Sequence, residues 1–364
     1  MAARAIVYEN NGDPASVLYA VTLPARAEPL SGRSINVKVL LSPINPSDVH
    51  VVHGSYAVQP NPQKLNINGE EKTLYLPGNE GLGEITEVGP DVKNLKKGDW
   101  VVFSKGQSGT WSSAQVLEEE DVIKVDQGSG ISAVNASTLT VNPVTAYKML
   151  STFVDLKPGD WIAQNAANSA AGQAVIQLAR GRGIHTINLI RRKDDFAETE
   201  RFLKGLGADV VLTYDDIPDE ERVRELVGGK EVRLLLDCVG GQATKDTVRL
   251  ASKGAHLVVY GAMAQEDIQI PPFLLVFKDI RVRGFWRTGW FNSSTLEERS
   301  QFLDELVQLM VSSKFKESVH EIVKIEGTLS DEEATLKVRE IFGRVNKGTG
   351  GTKIILEVET RQSL

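Results

Sequence analysis

Gly159-Asp160-Trp161-Ile162-Ala163-Gln164-Asn165-Ala166-Ala167-Asn168-Ser169-Ala170-Ala171-Gly172 runs from a buried-type strand, through small residues, into a helical pattern from Ala174 to Arg180. A dinucleotide-binding turn needs small residues at such a junction, so that the backbone can approach a pyrophosphate and helix N–H groups can point at it. Only the last fingerprint glycine, Gly172, is present, and Ala167 and Ser169 stand where the first two would be. A tight strand–helix packing turn reads the same way locally.

Outward from this turn the texture divides the chain. Downstream, Thr186 to Ile190, Val210 to Leu212, Leu234 to Asp237 and His256 to Tyr260 read as strands with helical stretches between them. Such alternation predicts a parallel sheet with right-handed crossovers. A helix is expected around Glu297 to Met310, then a last strand over Thr352 to Val358 that returns to the other module. Upstream, the first ~130 residues read as short strands between turns. Ile35 to Leu41, Gly83 to Gly89 and Lys97 to Phe103 are examples, and Val58 to Lys72, rich in Pro, Gln and Asn, reads as an exposed loop. Pro143 to Leu150 reads as a helix with Pro in its first turn. The expected architecture is α/β: a β-rich module over 1–140 and 317–364, and a doubly wound Rossmann module over 141–316.

At 364 residues the chain is long enough for two cores. A net charge of -7 argues against a nucleic-acid binder. One cysteine, Cys238, makes neither an intrachain disulfide nor a thiolate zinc cage, which favours a reducing compartment. No apolar run approaches the ~20 residues of a membrane span. No signal or transit peptide is visible before the first strand-like pattern.

The second strand of the alternating region ends in Ile190-Arg191-Arg192-Lys193, not in the Asp or Glu that binds a ribose 2′-hydroxyl. Basic groups there suit a 2′-phosphate and point to NADPH, although a solvated charge cluster has the same composition. Among other candidates, His50 and His53 lie three apart, but with 5 histidines and no carboxylate at ligand spacing no metal site is expected. His185, His256 and His320 read as structural, and Cys238 as packing.

Read together, these residues resemble the medium-chain dehydrogenase/reductase superfamily, and within it the mitochondrial 2-enoyl thioester reductases. The resemblance is carried by Ile44-Asn45-Pro46-Ser47-Asp48, Gly54-Ser55-Tyr56, Gly78-Asn79-Glu80-Gly81, Gly98-Asp99-Trp100-Val101, Gly109-Thr110-Trp111, Val141-Asn142-Pro143-Val144-Thr145-Ala146-Tyr147, Cys238-Val239-Gly240-Gly241, Tyr260-Gly261-Ala262-Met263, Lys278-Asp279 and Gly284-Phe285-Trp286. It covers nearly the whole chain.

The resemblance implies a GroES-like catalytic module, and NADPH-dependent reduction of the C2–C3 double bond of a trans-2-enoyl thioester carried on coenzyme A or an acyl-carrier protein. It implies hydride to C3 and a proton to C2 from Tyr56, since a phenol with an ordinary pKa of ~10 is a neutral donor at rest. Tyr8, Tyr19, Tyr75, Tyr147, Tyr214 and Tyr260 lack the Gly-x-Tyr context. Cofactor contacts carried over by position are Asn142, Asn168, Ser169, Ala170, Ala171, Arg191, Arg192, Lys193, Tyr260, Gly261, Ala262, Met263, Phe285, Trp286, Arg287 and Lys353. Asn142 also reads as a helix cap, and Phe285 and Trp286 as core packing. Zinc-dependent relatives carry Gly-His-Glu where this chain has Gly78-Asn79-Glu80, so no zinc is implied. A homodimer, a role in fatty acid synthesis and a mitochondrial matrix location, with the cytoplasm as the alternative, are implied by the resemblance only. The chain departs from the pattern at Ser112, where the family often has Arg, and in the longer stretch between Tyr56 and Gly78. A zinc-free quinone or enone reductase and a non-catalytic nucleotide-binding scaffold remain as other readings.

Overall fold

The computed structural model describes residues 2–24, 26, 28–67, 69–193, 195–217 and 219–362. Two compact units emerge: residues 1–141, 291–308 and 319–364 form one, and 142–290 with 309–318 the other. Phe291–Gln308 thus groups with the first unit, whereas the alternating pattern put it in the second. Arg299 donates to the Ser104 carbonyl at 3.3 Å and sits over the Phe291 ring. Helical periodicity marks such a helix without saying which core it serves.

In the second unit, six strands form one sheet: Trp161–Gln164, His185–Ile190, Val210–Thr213, Val232–Asp237, His256–Val259 and Arg281–Gly284. Numbered along the chain, their order is 3-2-1-4-5-6, and every neighbouring pair is parallel. Apolar runs such as Leu234-Leu235-Leu236 are buried because helices cover both faces of such a sheet. One face packs Ala163, Ile187, Leu189, Leu235 and Leu257, and Ile176, Ile190, Leu203 and Val211 make a second cluster. Strand order reverses beside the first strand, so that strand's carboxyl end is the switch point at which such folds bind ligands.

The first unit centres on a seven-stranded sheet. His320–Ile325 runs parallel to Lys353–Val358, which pairs antiparallel with Ser34–Pro43. That long strand also pairs with Leu82–Val88 and Ala114–Glu118. The closing strand of the chain therefore does return to the β-rich module. Helix Asp331–Lys347 begins with reciprocal hydrogen bonds between Ser330 and Glu333 and buries Ala334, Val338, Ile341 and Phe342.

The stretch read as an exposed loop is instead a hairpin, Gln63–Ile67 against Glu70–Leu74. Leu65 and Ile67 alternate with Lys64 and Asn66, and they pack on the cluster of Ala5, Val7, Val21, Leu74 and Leu76. The Asn66 side chain accepts the Gly69 N–H at 2.8 Å and closes the turn. The polar composition obscured this period-two pattern.

Candidate active site

The second unit brings the carboxyl-end residues of its six parallel strands to one edge. After the first strand, Ala166 turns the chain at φ 47°, in the left-handed region. Helix Ala170–Gly181 then starts, with Ser169 capping it by accepting the Gly172 N–H at 3.2 Å. The N–H groups of Ala170 and Ala171 precede the first intrahelical bond and face off the helix end. Gly172 is needed for packing, since a Cβ there would sit 2.6 Å from the Ala167 carbonyl oxygen. Gln173 holds the turn by donating to the Asn168 carbonyl at 2.8 Å.

The floor beneath this turn is a buried polar lattice. Asn165 donates to Asp237 at 2.5 Å and accepts the Cys238 N–H at 3.0 Å. Asp237 also accepts the Val239 and Gly240 N–H groups and the Thr244 hydroxyl. Tyr260 donates its backbone N–H to the Asp237 carbonyl, and Met263 to the Cys238 carbonyl. The Tyr260 hydroxyl lies beside the Cys238 thiol and finds no oxygen or nitrogen partner among the described residues. Burial pushes the Cys238 thiol up to about 11, so it is an inert thiol.

Of the remaining positions, Arg191, Arg192 and Lys193 are exposed at the end of the second strand. Phe285 donates its N–H to the Val259 carbonyl and meets Phe153 edge-on at 6.4 Å, while Trp286 is 46% exposed and Arg287 is buried. Asn142 opens helix Asn142–Thr152, and its side-chain Nδ2 is buried without a partner among the described residues. An orphaned buried donor costs ~1–3 kcal/mol, which a ligand carbonyl would relieve. Small residues at a left-handed turn, a free helix start, basic residues after the second strand and this orphaned amide fit a phosphorylated dinucleotide.

Tyr214 had no motif to mark it. It follows the third strand, its hydroxyl meets the Ala166 N–H at the phosphate-type turn, and burial pushes it up to about 12. Its place directly after a sheet strand was the available signal.

Tyr56 and Lys353 belong to the first unit. Pro46 and the cap at Asn45 start helix Pro46–His53, Gly54 ends it at φ 82°, and the Tyr56 N–H returns to the His50 carbonyl at 3.2 Å. Tyr56 is thereby held half-buried in a tight turn off a rigid helix. The helix start is tied into the sheet: Asn45 donates to Glu80 at 2.8 Å, Asn79 to Asp48 at 3.0 Å, and Lys353 to Asn45. Burial lowers the Lys353 ammonium, and Glu80 and Asp48 oppose that shift. Ser112 is buried, donating to the Gly109 carbonyl and accepting from Gln115, both at 2.9 Å.

The sheet order and the β module define a medium-chain dehydrogenase/reductase. The alcohol dehydrogenase GroES-like domain family matches residues 32–148, and the zinc-binding dehydrogenase family matches 170–306. Within that class, the chain belongs to the family of mitochondrial enoyl-[acyl-carrier-protein] reductases. It is 39% identical to the Rattus norvegicus protein of that name over 84% of this chain and 78% of the relative. The Homo sapiens protein is 36% identical, over 92% and 86%. Among solved structures, Etr1p in complex with NADP and crotonyl-CoA superposes with a TM-score of 0.89 at 29% identity, covering 98% of this chain and all of that one. A putative NADPH:quinone reductase from Bacillus thuringiensis, at 21% identity and TM-score 0.77, shares the fold. Among the described residues no helix is long and apolar enough to cross a membrane.

Proposed function

We propose that this protein uses NADPH to reduce the C2–C3 double bond of trans-2-enoyl thioesters, on coenzyme A or an acyl-carrier protein, in mitochondrial fatty acid synthesis. The observation that carries the reading is the likeness along nearly the whole chain to Etr1p, whose solved structure holds NADP and crotonyl-CoA. When bound, the reduced nicotinamide supplies a hydride to C3.

The chain's own residues do the rest. Tyr56 holds the proton that C2 takes as the thioester enolate collapses, and the rigid turn at Gly54 fixes its position. The Ala170 and Ala171 N–H groups, with Asn168 and Ser169, take the pyrophosphate. Arg191, Arg192 and Lys193 form the basic end that selects a 2′-phosphate over a hydroxyl. Asn142 gives its unpartnered amide to the nicotinamide end, where Phe285, Trp286 and Arg287 present their backbone. Tyr260, Gly261, Ala262, Met263 and Lys353 complete the contacts.

The active form is a homodimer joined through the second unit. Its sixth strand, Arg281–Gly284, has no partner on its outer edge among the described residues, and Phe273, Val276 and Phe277 on the preceding helix are 57%, 72% and 75% exposed. An open edge beside exposed aromatics is a surface that proteins normally cover.

The test is NADPH consumption with a medium-length trans-2-enoyl-CoA, run beside NADH and beside Tyr56→Phe. Turnover with NADPH, little with NADH, and a kcat loss of about 10²–10⁴ in the variant support the reading. Full activity in Tyr56→Phe overturns the donor, and turnover of a quinone but not the thioester overturns the substrate class.

A further inference from the structure

Arg191 and Arg192 are neighbours in sequence, yet they meet different chemistry. The second strand lies between the first and the third, so residues leaving its end can lean either way. Arg192 leans to the third. Its Nη2 donates to Asp216 at 2.6 Å and to the Thr213 hydroxyl at 3.1 Å, and its Nε donates to Asp215 at 3.3 Å. Thr213 is fully buried and itself donates to Asp216 at 2.6 Å, so the acceptor is fixed from below. Arg191 has no charge partner among the described residues. It lies near enough to Tyr214 to favour the ionised phenol, and the Tyr214 hydroxyl meets the Ala166 N–H at the phosphate-type turn. Arg191 is thus left uncommitted among the described residues, while Arg192 is committed to an acidic pair.

In the NADPH reading Arg191 belongs to the basic end that meets the 2′-phosphate, and we infer that Arg192 is a positioning residue for that end. Its guanidinium neutralises Asp215 and Asp216 and keeps both carboxylates from repelling that phosphate. This rests on the NADPH reading above. A guanidinium already shared between two carboxylates has few donors left for a third anion, whereas a free fork binds phosphate oxygens bidentately. Uncovered, the two carboxylates would act on a dianion through solvent, an effect that salt weakens.

The test is calorimetric binding of 2′,5′-ADP and of 5′-AMP to the full chain, which isolates the 2′-phosphate without any reaction. Wild type should prefer 2′,5′-ADP. Arg191→Ala should lose about ten-fold or more of that preference, and Arg191→Lys should keep part of it. Arg192→Ala should lose about three- to five-fold at low salt and less at high salt. Adding Asp215→Asn and Asp216→Asn to Arg192→Ala should restore binding to within about two-fold of wild type. If Arg192→Ala keeps the full preference, or if the triple variant stays as weak as Arg192→Ala, the inference is overturned while the NADPH reading stands. Equal binding of both nucleotides by wild type would overturn the NADPH reading, and this inference with it.

Discussion

Lys353, in the last strand of the chain, donates its ammonium to the side-chain oxygen of Asn45, the residue that caps the helix leading to Tyr56. Both are buried, and Asn45 passes the connection to Glu80, whose other oxygen accepts the Val141 N–H at 3.0 Å. Removing one charge from such a network leaves the others uncompensated. Lys353→Met should destabilise the protein by about 3 kcal/mol. Urea denaturation followed by circular dichroism measures this, and an unchanged midpoint would mean that Asp48 and Glu80 are balanced without the ammonium.

Cys238 makes a pH prediction. Burial raises its thiol to about 11, so the folded protein keeps a proton that the unfolded chain releases near pH 9. The stability from this group is fully present below about pH 9 and is lost as pH climbs through about 11. Cys238→Ala should therefore show a shallower fall in unfolding free energy across that window than wild type. Parallel curves would show that the thiol ionises as freely in the fold as outside it.

Ala166 sits at φ 47°, where an L-residue is strained by roughly 1–2 kcal/mol. Glycine removes the strain but adds freedom to the unfolded chain. The net effect of Ala166→Gly should be a stabilisation of about 0.5–1 kcal/mol. A lower thermal midpoint would indicate that the turn relies on the alanine methyl for packing.

Phe277 is the most exposed aromatic of helix Pro272–Lys278. If the second unit forms the dimer contact, Phe277→Glu buries a charge in an apolar face and should produce monomers in sedimentation velocity at micromolar protein. A variant that sediments as wild type does would place the dimer contact elsewhere or remove the dimer.

Much of the architecture was legible in the residues. Apolar runs such as Leu234-Leu235-Leu236, spaced by helical patterns, announced a parallel sheet, and Ser169 with Gly172 marked the strand–helix turn within it. The hairpin Gln63–Leu74 was missed because Lys64, Asn66, Glu70 and Lys72 outweigh Leu65, Ile67 and Leu74, which anchor it. The grouping of Phe291–Gln308 was missed because an amphipathic pattern states that a face is buried and not what buries it.

The sequence by itself determined local matters: the strand and helix periods, the helix start at Pro143, the basic run after the second strand, and the small residues of the turn. These depend on neighbours a few positions apart, so spacing suffices to read them. Only the tertiary structure decided that Lys353 meets Asn45, that Tyr214 reaches Ala166, and that Arg192 is claimed by Asp215 and Asp216 while Arg191 is not. Those pairings depend on strand order and register, here Ile190 opposite Thr213, which bring together groups that the chain itself keeps apart.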